Sequence, residues 1–116
     1  MSTELDKLRN AVRKFAAERD WDQFHSPKNL AMALSVESAE LLEIFQWLTE
    51  EESRDLPPPT KAAAADEIAD VLIYLLRIAD KLAIDPVAAA QHKMIANAQK
   101  YPADKARGNN KKYTEL

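Results

Sequence analysis

The sequence predicts an all-α protein built as a four-helix bundle. Three observations carry this. A single glycine, Gly108, stands among 116 residues, so the tight hairpin turns that sheets need have almost no supply of residues for positive φ. No Asn-Gly or Asp-Gly pair occurs, and Val, Ile, Thr and Tyr never alternate with polar residues over a useful length. Ala, Leu, Glu and Lys dominate, and apolar residues recur at spacings of three and four, which is the period of one helix face.

The first helix runs from about Thr3 to Arg19, with Thr3 as its cap and Leu5, Leu8, Val12, Phe15 and Ala16 along one face. The second runs from about Pro27 to Leu48. Ser26 before Pro27 supplies a capping hydroxyl and then a proline at the first helical position. Its stripe is Leu30, Leu34, Leu41, Phe45 and Leu48. Thr49 to Pro59 is acidic and then carries Pro57, Pro58 and Pro59, so it reads as a linker. Thr60 is the expected cap of the third helix, which runs to about Ala83. Its stripe is Ile68, Val71, Leu72, Leu75, Ile78, Ala79 and Leu82. Asp85-Pro86 repeats the cap-plus-proline signal and opens the fourth helix, to about Lys100, which Pro102 ends.

The organisation follows as a helical domain over residues 1–102 and a basic, polar tail over 103–116. A chain of this length can bury roughly two-thirds of its unfolded surface. Long helices with wide apolar faces on so small a chain point to a core shared between the subunits of a homodimer or homotetramer.

Composition narrows function. Zero cysteines remove disulfide scaffolds, thiolate zinc sites, iron–sulfur clusters and cysteine nucleophiles. One glycine removes the glycine-rich loops that cradle phosphates. A net charge of −3 argues against binding a nucleic acid polymer, which rests on phosphate neutralisation. The charged stretch from Met1 to Asn10 does not resemble a secretory signal. No run of about 18 apolar residues is present to cross a membrane. The expectation is a cytoplasmic protein.

The acids are clustered. Residues 35–70 hold ten acids and two bases, whereas residues 93–112 hold six bases and one acid. Glu50, Glu51, Glu52 and Asp55 sit in the linker, where solvation accounts for them. Glu37 and Glu40 are different: three apart on the second helix, they lie side by side next to Leu34 and Leu41. Glu67 and Asp70 repeat that arrangement on the third helix beside Ile68 and Val71. If the two helices pack as antiparallel neighbours, four carboxylates converge. Such a group repels itself and loses hydration unless a cation is present. All-oxygen ligation suits Mg²⁺ or Mn²⁺. A ferritin-like di-iron site would need Glu-x-x-His pairs, and His25 and His92 lie outside these blocks. Ordinary solvent-facing helix charges are the competing reading.

Aromatic rings extend the same faces. Tyr74 follows Asp70 by four residues, Trp47 follows Glu40 by seven, and Trp21 sits just past the first helix. Rings beside a metal–carboxylate cluster suit a nucleobase next to its triphosphate, since stacking on one ring is worth roughly 1–3 kcal/mol. Filling the core is the alternative for each ring.

The blocks ESAELLEIFQW (Glu37 to Trp47), DEIADVLIYLL (Asp66 to Leu76) and KMIANAQKYP (Lys93 to Pro102) resemble the MazG-like all-α nucleoside triphosphate pyrophosphohydrolases. FAAERDWDQFHSPKNL (Phe15 to Leu30) and KKYTEL (Lys111 to Leu116) are similar to the dCTP pyrophosphatase branch of that family. Val36 stands where many members carry a second glutamate, an absence shared with that branch. Val12 stands where some members of the branch carry histidine.

The resemblance implies a bundle of the MazG-like type. It also implies Mg²⁺-dependent hydrolysis of a nucleoside triphosphate, dCTP or a modified dCTP, between the α and β phosphates. That reaction yields a monophosphate and pyrophosphate and serves nucleotide-pool sanitation. Glu37, Glu40, Glu67 and Asp70 are then the metal-binding and catalytic residues. Trp21, Trp47 and Tyr74 help form the base and sugar pocket, and Lys93 and Asn97 face phosphates or sugar. Arg107 and Lys112 add phosphate contacts from the tail, with Gly108 as a flexible point between them; read alone, the tail is a solvated end. His25 falls in a matching block, where a role in the site and a capping or structural role for the second helix both stand open. Two other functions stand beside this one: a non-catalytic helical oligomer that binds a partner, and a phosphohydrolase acting on another nucleotide.

Overall fold

A computed structural model describes residues 3–116 of the chain. Met1 and Ser2, which begin the charged N-terminal stretch, lie outside the described residues. The described residues are all-α: α1 (Glu4–Glu18), α2 (Pro27–Phe45), α3 (Glu50–Ser53), α4 (Pro58–Lys81), α5 (Pro86–Lys100) and α6 (Ala103–Ala106). Short 3₁₀ turns cover Asp22–Phe24 and Tyr113–Glu115.

Three of the four long helices start where the caps place them. The Thr3 hydroxyl accepts from the Asp6 N–H at 3.1 Å, and the Asp6 carboxylate accepts from the Thr3 N–H at 3.1 Å. The Ser26 hydroxyl accepts from the Asn29 N–H at 3.1 Å ahead of Pro27. The Asp85 carboxylate accepts from the N–H groups of Val87 and Ala88 ahead of Pro86. Each satisfies donors that no helical carbonyl can reach.

Thr60 is not the cap of α4. Pro57 occupies that position without a side-chain hydrogen bond, and Thr60 lies inside the first turn. Pro58 and Pro59 are tolerated there because the first turn has no intrahelical use for their missing N–H groups. The acidic segment before them holds a helical turn, α3, closed by a reciprocal pair between Thr49 and Glu52. α2 stops at Phe45, short of Leu48. The tail carries the single turn α6.

With one glycine available, other residues take the left-handed positions that end helices. Asp20 (φ 53°) follows α1, and Ala83 (φ 54°) follows α4. At Asp20 the Trp21 N–H reaches the Ala16 carbonyl at 2.9 Å and the Asp20 N–H reaches that of Ala17 at 3.1 Å. This paired closure turns the chain back on itself and brings the residue after the turn against the last helical turn. Accordingly, Trp21 packs edge-on to Phe15 with ring centroids 5.7 Å apart.

The chain divides into two compact units, residues up to Ala83 and Ile84–Leu116. In the first, α4 packs against α2 along their length and against α1. α2 and α4 run antiparallel: His25, just before α2, meets Arg77 near the end of α4, while Glu37 meets Glu67 and Asp70 nearer its start. Among the described residues, the buried apolar ones are Leu30, Leu76 and three alanines, Ala16, Ala64 and Ala79. Much of the expected α4 stripe is open on the single chain, including Ile68, Leu72, Leu75 and Leu82. In the second unit, Tyr101 and Tyr113 meet edge-on at 6.1 Å.

Candidate functional site

The spacing of three within each acidic block and the antiparallel pairing of α2 with α4 place carboxylates opposite one another. One oxygen each from Glu37, Glu67 and Asp70 lie within 4.8 Å of one another, and all three residues are half-buried. Glu40 is also half-buried, one turn after Glu37, but outside that set of three. Oε2 of Glu37 and Oε2 of Glu67 are buried and accept no hydrogen bond. A buried carboxylate oxygen without a donor is costly, and here two of them face a third acid.

The electrostatics agree. Burial, and then the neighbouring Glu40, Asp70 and Glu67, push the Glu37 carboxyl up to about 7. Burial and the charge of Glu40 raise Glu67 as well. Like charges and lost hydration both disfavour the ionised forms. A divalent cation fits this donor set: it would supply the charge and the ligand bonds that the two orphaned oxygens lack.

A cavity of about 240 Å³ adjoins one of these acids. Val12, Phe15 and Ile73 form apolar wall, while Trp21, Tyr74 and Asp70 bring the aromatic and acidic residues together. The Schellman-type closure at Asp20 is what delivers Trp21 to it. Trp47 is not part of this cavity and is 87% exposed. On α5, Lys93 is exposed and Asn97 half-buried, one turn apart.

Two residues of the cavity, Arg77 and His25, lie outside the site residues that the sequence predicts. Arg77 is buried and its Nε donates to His25 Nδ1 at 3.1 Å. A signal for it exists: Arg77 is the one cation in the apolar run from Val71 to Ala79, and a charge in a core stripe requires partners. Asp80, three residues on in the same helix, is one of them; the other two, Asp22 and His25, lie before α2, too far along the chain for spacing to reveal them.

Residues 32–116 match the model of the MazG-like family. The chain belongs to that family. It is 46% identical over 114 residues to dCTP pyrophosphatase 1 of Homo sapiens, covering 97% of this chain and 67% of that protein. The Mus musculus protein of the same name is 45% identical over the same coverage. A crystal structure of a pyrophosphatase from Archaeoglobus fulgidus superposes with a TM-score of 0.82 at 43% identity, covering 88% of this chain and 95% of that one.

Proposed function

We propose that this chain is a Mg²⁺-dependent nucleoside triphosphate pyrophosphohydrolase that converts dCTP, or a modified dCTP, to the monophosphate and pyrophosphate. The observation that carries the reading is the convergence of Glu37, Glu67 and Asp70 with two buried oxygens left without donors. The similarity to the dCTP pyrophosphatases of Homo sapiens and Mus musculus supplies the substrate class.

Glu37, Glu67 and Asp70 hold the cation, with Glu40 beside them as the fourth acid. Magnesium, when bound, offsets the charge of the phosphates and makes water more acidic. Glu40, outside the set of three, is the carboxylate left to accept the proton of the attacking water. Trp21 and Tyr74 bracket the base in the cavity. Trp47, Lys93 and Asn97, with Arg107 and Lys112 of the tail, supply further contacts to the nucleotide. An acidic chain thereby binds an anion, because the cation inverts the local field.

Incubation with Mg²⁺ and a panel of deoxynucleoside triphosphates tests this through pyrophosphate release. Product from dCTP or a 5-substituted dCTP is expected. No product from any nucleotide would leave the non-catalytic module.

The same reading includes a homodimer or homotetramer. Met32, Val36 and Leu42 on α2 and Ile68, Leu72 and Leu75 on α4 are exposed on the single chain. On α4 they continue at spacings of four and three, the period of a helix–helix seam. Light scattering is expected to give two or four times the 13.1 kDa chain mass. Leu75→Glu, which puts a charge in that seam, is expected to lower the mass or abolish folding. A monomeric parent chain would exclude the assembly.

A further inference from the structure

The base cavity has one buried cation in its wall, and the proposed chemistry does not use it. Arg77, 4% exposed, follows Tyr74 by three residues and Asp70 by seven, so it continues their face of α4. Its guanidinium points in three directions. Nη2 donates to Asp22 at 2.5 Å, Nη1 donates to Asp80 at 3.5 Å, and Nε donates to His25 Nδ1 at 3.1 Å. Lys81 also donates to Asp22 at 2.5 Å. The carboxylate bonds already tie the Asp22–Phe24 turn to α4, so the bond to His25 is not needed for that. It is chemically distinct as well. A guanidinium N–H only donates, so Nδ1 of His25 must accept, and a ring nitrogen that accepts carries no proton.

We propose that Arg77 is a positioning residue for base recognition that acts through His25. By donating to Nδ1 it fixes the ring as the Nε2–H tautomer, and the cavity then offers one unchanging donor to an acceptor on the nucleobase. The inference rests on the dCTP reading of the cavity. Cytosine carries two acceptors on its pairing edge, N3 and the O2 carbonyl, whereas thymine and uracil carry an N3–H. A donor that cannot exchange places with an acceptor suits the first pattern and opposes the second at N3.

The charged groups around the ring are Arg77, Lys81 and Asp22, and Asp70 and Tyr74 share its cavity. Burial, followed by the two cations, holds the His25 pKa below its ordinary value. That agrees with a neutral ring, the form the geometry requires.

The test uses the full chain labelled with ¹⁵N-histidine. Two-bond ¹⁵N–¹H spectra at pH 7 are expected to show His25 neutral with its proton on Nε2. A proton on Nδ1, alone or with Nε2, overturns the proposal whatever the activity. A non-hydrolysable dCTP analogue is expected to move the Nε2 resonance, and an unmoved resonance also overturns it. Arg77→Lys keeps the charge and removes the Nε donor. If the variant folds, the KM for dCTP is expected to rise about tenfold with kcat changed by less than about twofold. In a His25→Phe background the same substitution is expected to add nothing, because the two residues act as one unit. An unchanged KM, or effects that multiply, overturns the proposal. A parent chain inert toward dCTP but showing the Nε2–H tautomer would instead count against the proposed activity.

Discussion

Glu37→Gln and Asp70→Ala, made separately, are expected to lose Mg²⁺-dependent turnover of dCTP by at least about a hundredfold in kcat. Both are expected to retain the parent helix content. The stability of Glu37→Gln carries the sharper sign. In the metal-free chain Glu37 is a destabilised anion, its carboxyl raised to about 7 by burial and by Glu40, Asp70 and Glu67. An amide of the same shape removes that cost. The metal-free variant is therefore expected to melt a few degrees above the parent at pH 8 while being inactive. A residue kept only for the fold would show the opposite sign, a lower melting temperature. Pyrophosphate release and thermal denaturation followed by circular dichroism measure the two quantities. Full activity in either variant would overturn the ligand assignment.

The second large effect is linkage between protons and metal. Because the folded Glu37 carboxyl lies above its unfolded value, the metal-free fold binds more protons than the unfolded chain between the ordinary carboxylate range and about 7. The contribution to stability is fully present below that range and is lost as pH rises through 7. Metal acts in the opposite sense, since a ligating carboxylate must first lose its proton. Calorimetric titration with Mg²⁺ is expected to show affinity weakening about tenfold per pH unit below 7 for one competing proton. Binding at pH 6 should release close to one proton, and binding at pH 8 almost none. Glu67, raised in the same direction, steepens the dependence. A Mg²⁺ affinity that is flat from pH 5.5 to 8 would show that Glu37 does not ligate the ion.

The features visible in the sequence were those whose cause is local. Ser26-Pro27 and Asp85-Pro86 mark helix starts because a cap and a first-turn proline act within three residues. The acid pairs were visible because a separation of three places Glu67 and Asp70 on one helix face. Sequence misleads where one residue type has two uses. Pro57, Pro58 and Pro59 suggested a linker, because proline disrupts helix interiors, yet two of them open α4. Thr49 and Glu52 close a helical turn too short to display a period. What stayed hidden was long-range chemistry. Arg77 and His25 meet across 52 positions, and neither residue's neighbours in sequence announce the other. The cavity was hidden for a different, local reason: Trp21 reaches it through the left-handed turn at Asp20, where the residue that usually marks such a turn, glycine, is absent.

The small buried core has a consequence beyond the catalytic site. Two leucines and three alanines are the buried apolar residues described in the first unit, and burying an alanine contributes little compared with a leucine. If the open faces of α2 and α4 find their complement in another copy, collapse and association become one thermodynamic event. Dilution then acts as a denaturant, and the melting temperature rises with protein concentration by mass action. Because Glu37, Glu67 and Asp70 sit on those same two helices, the amount of chain present would govern the integrity of the metal-binding cluster itself.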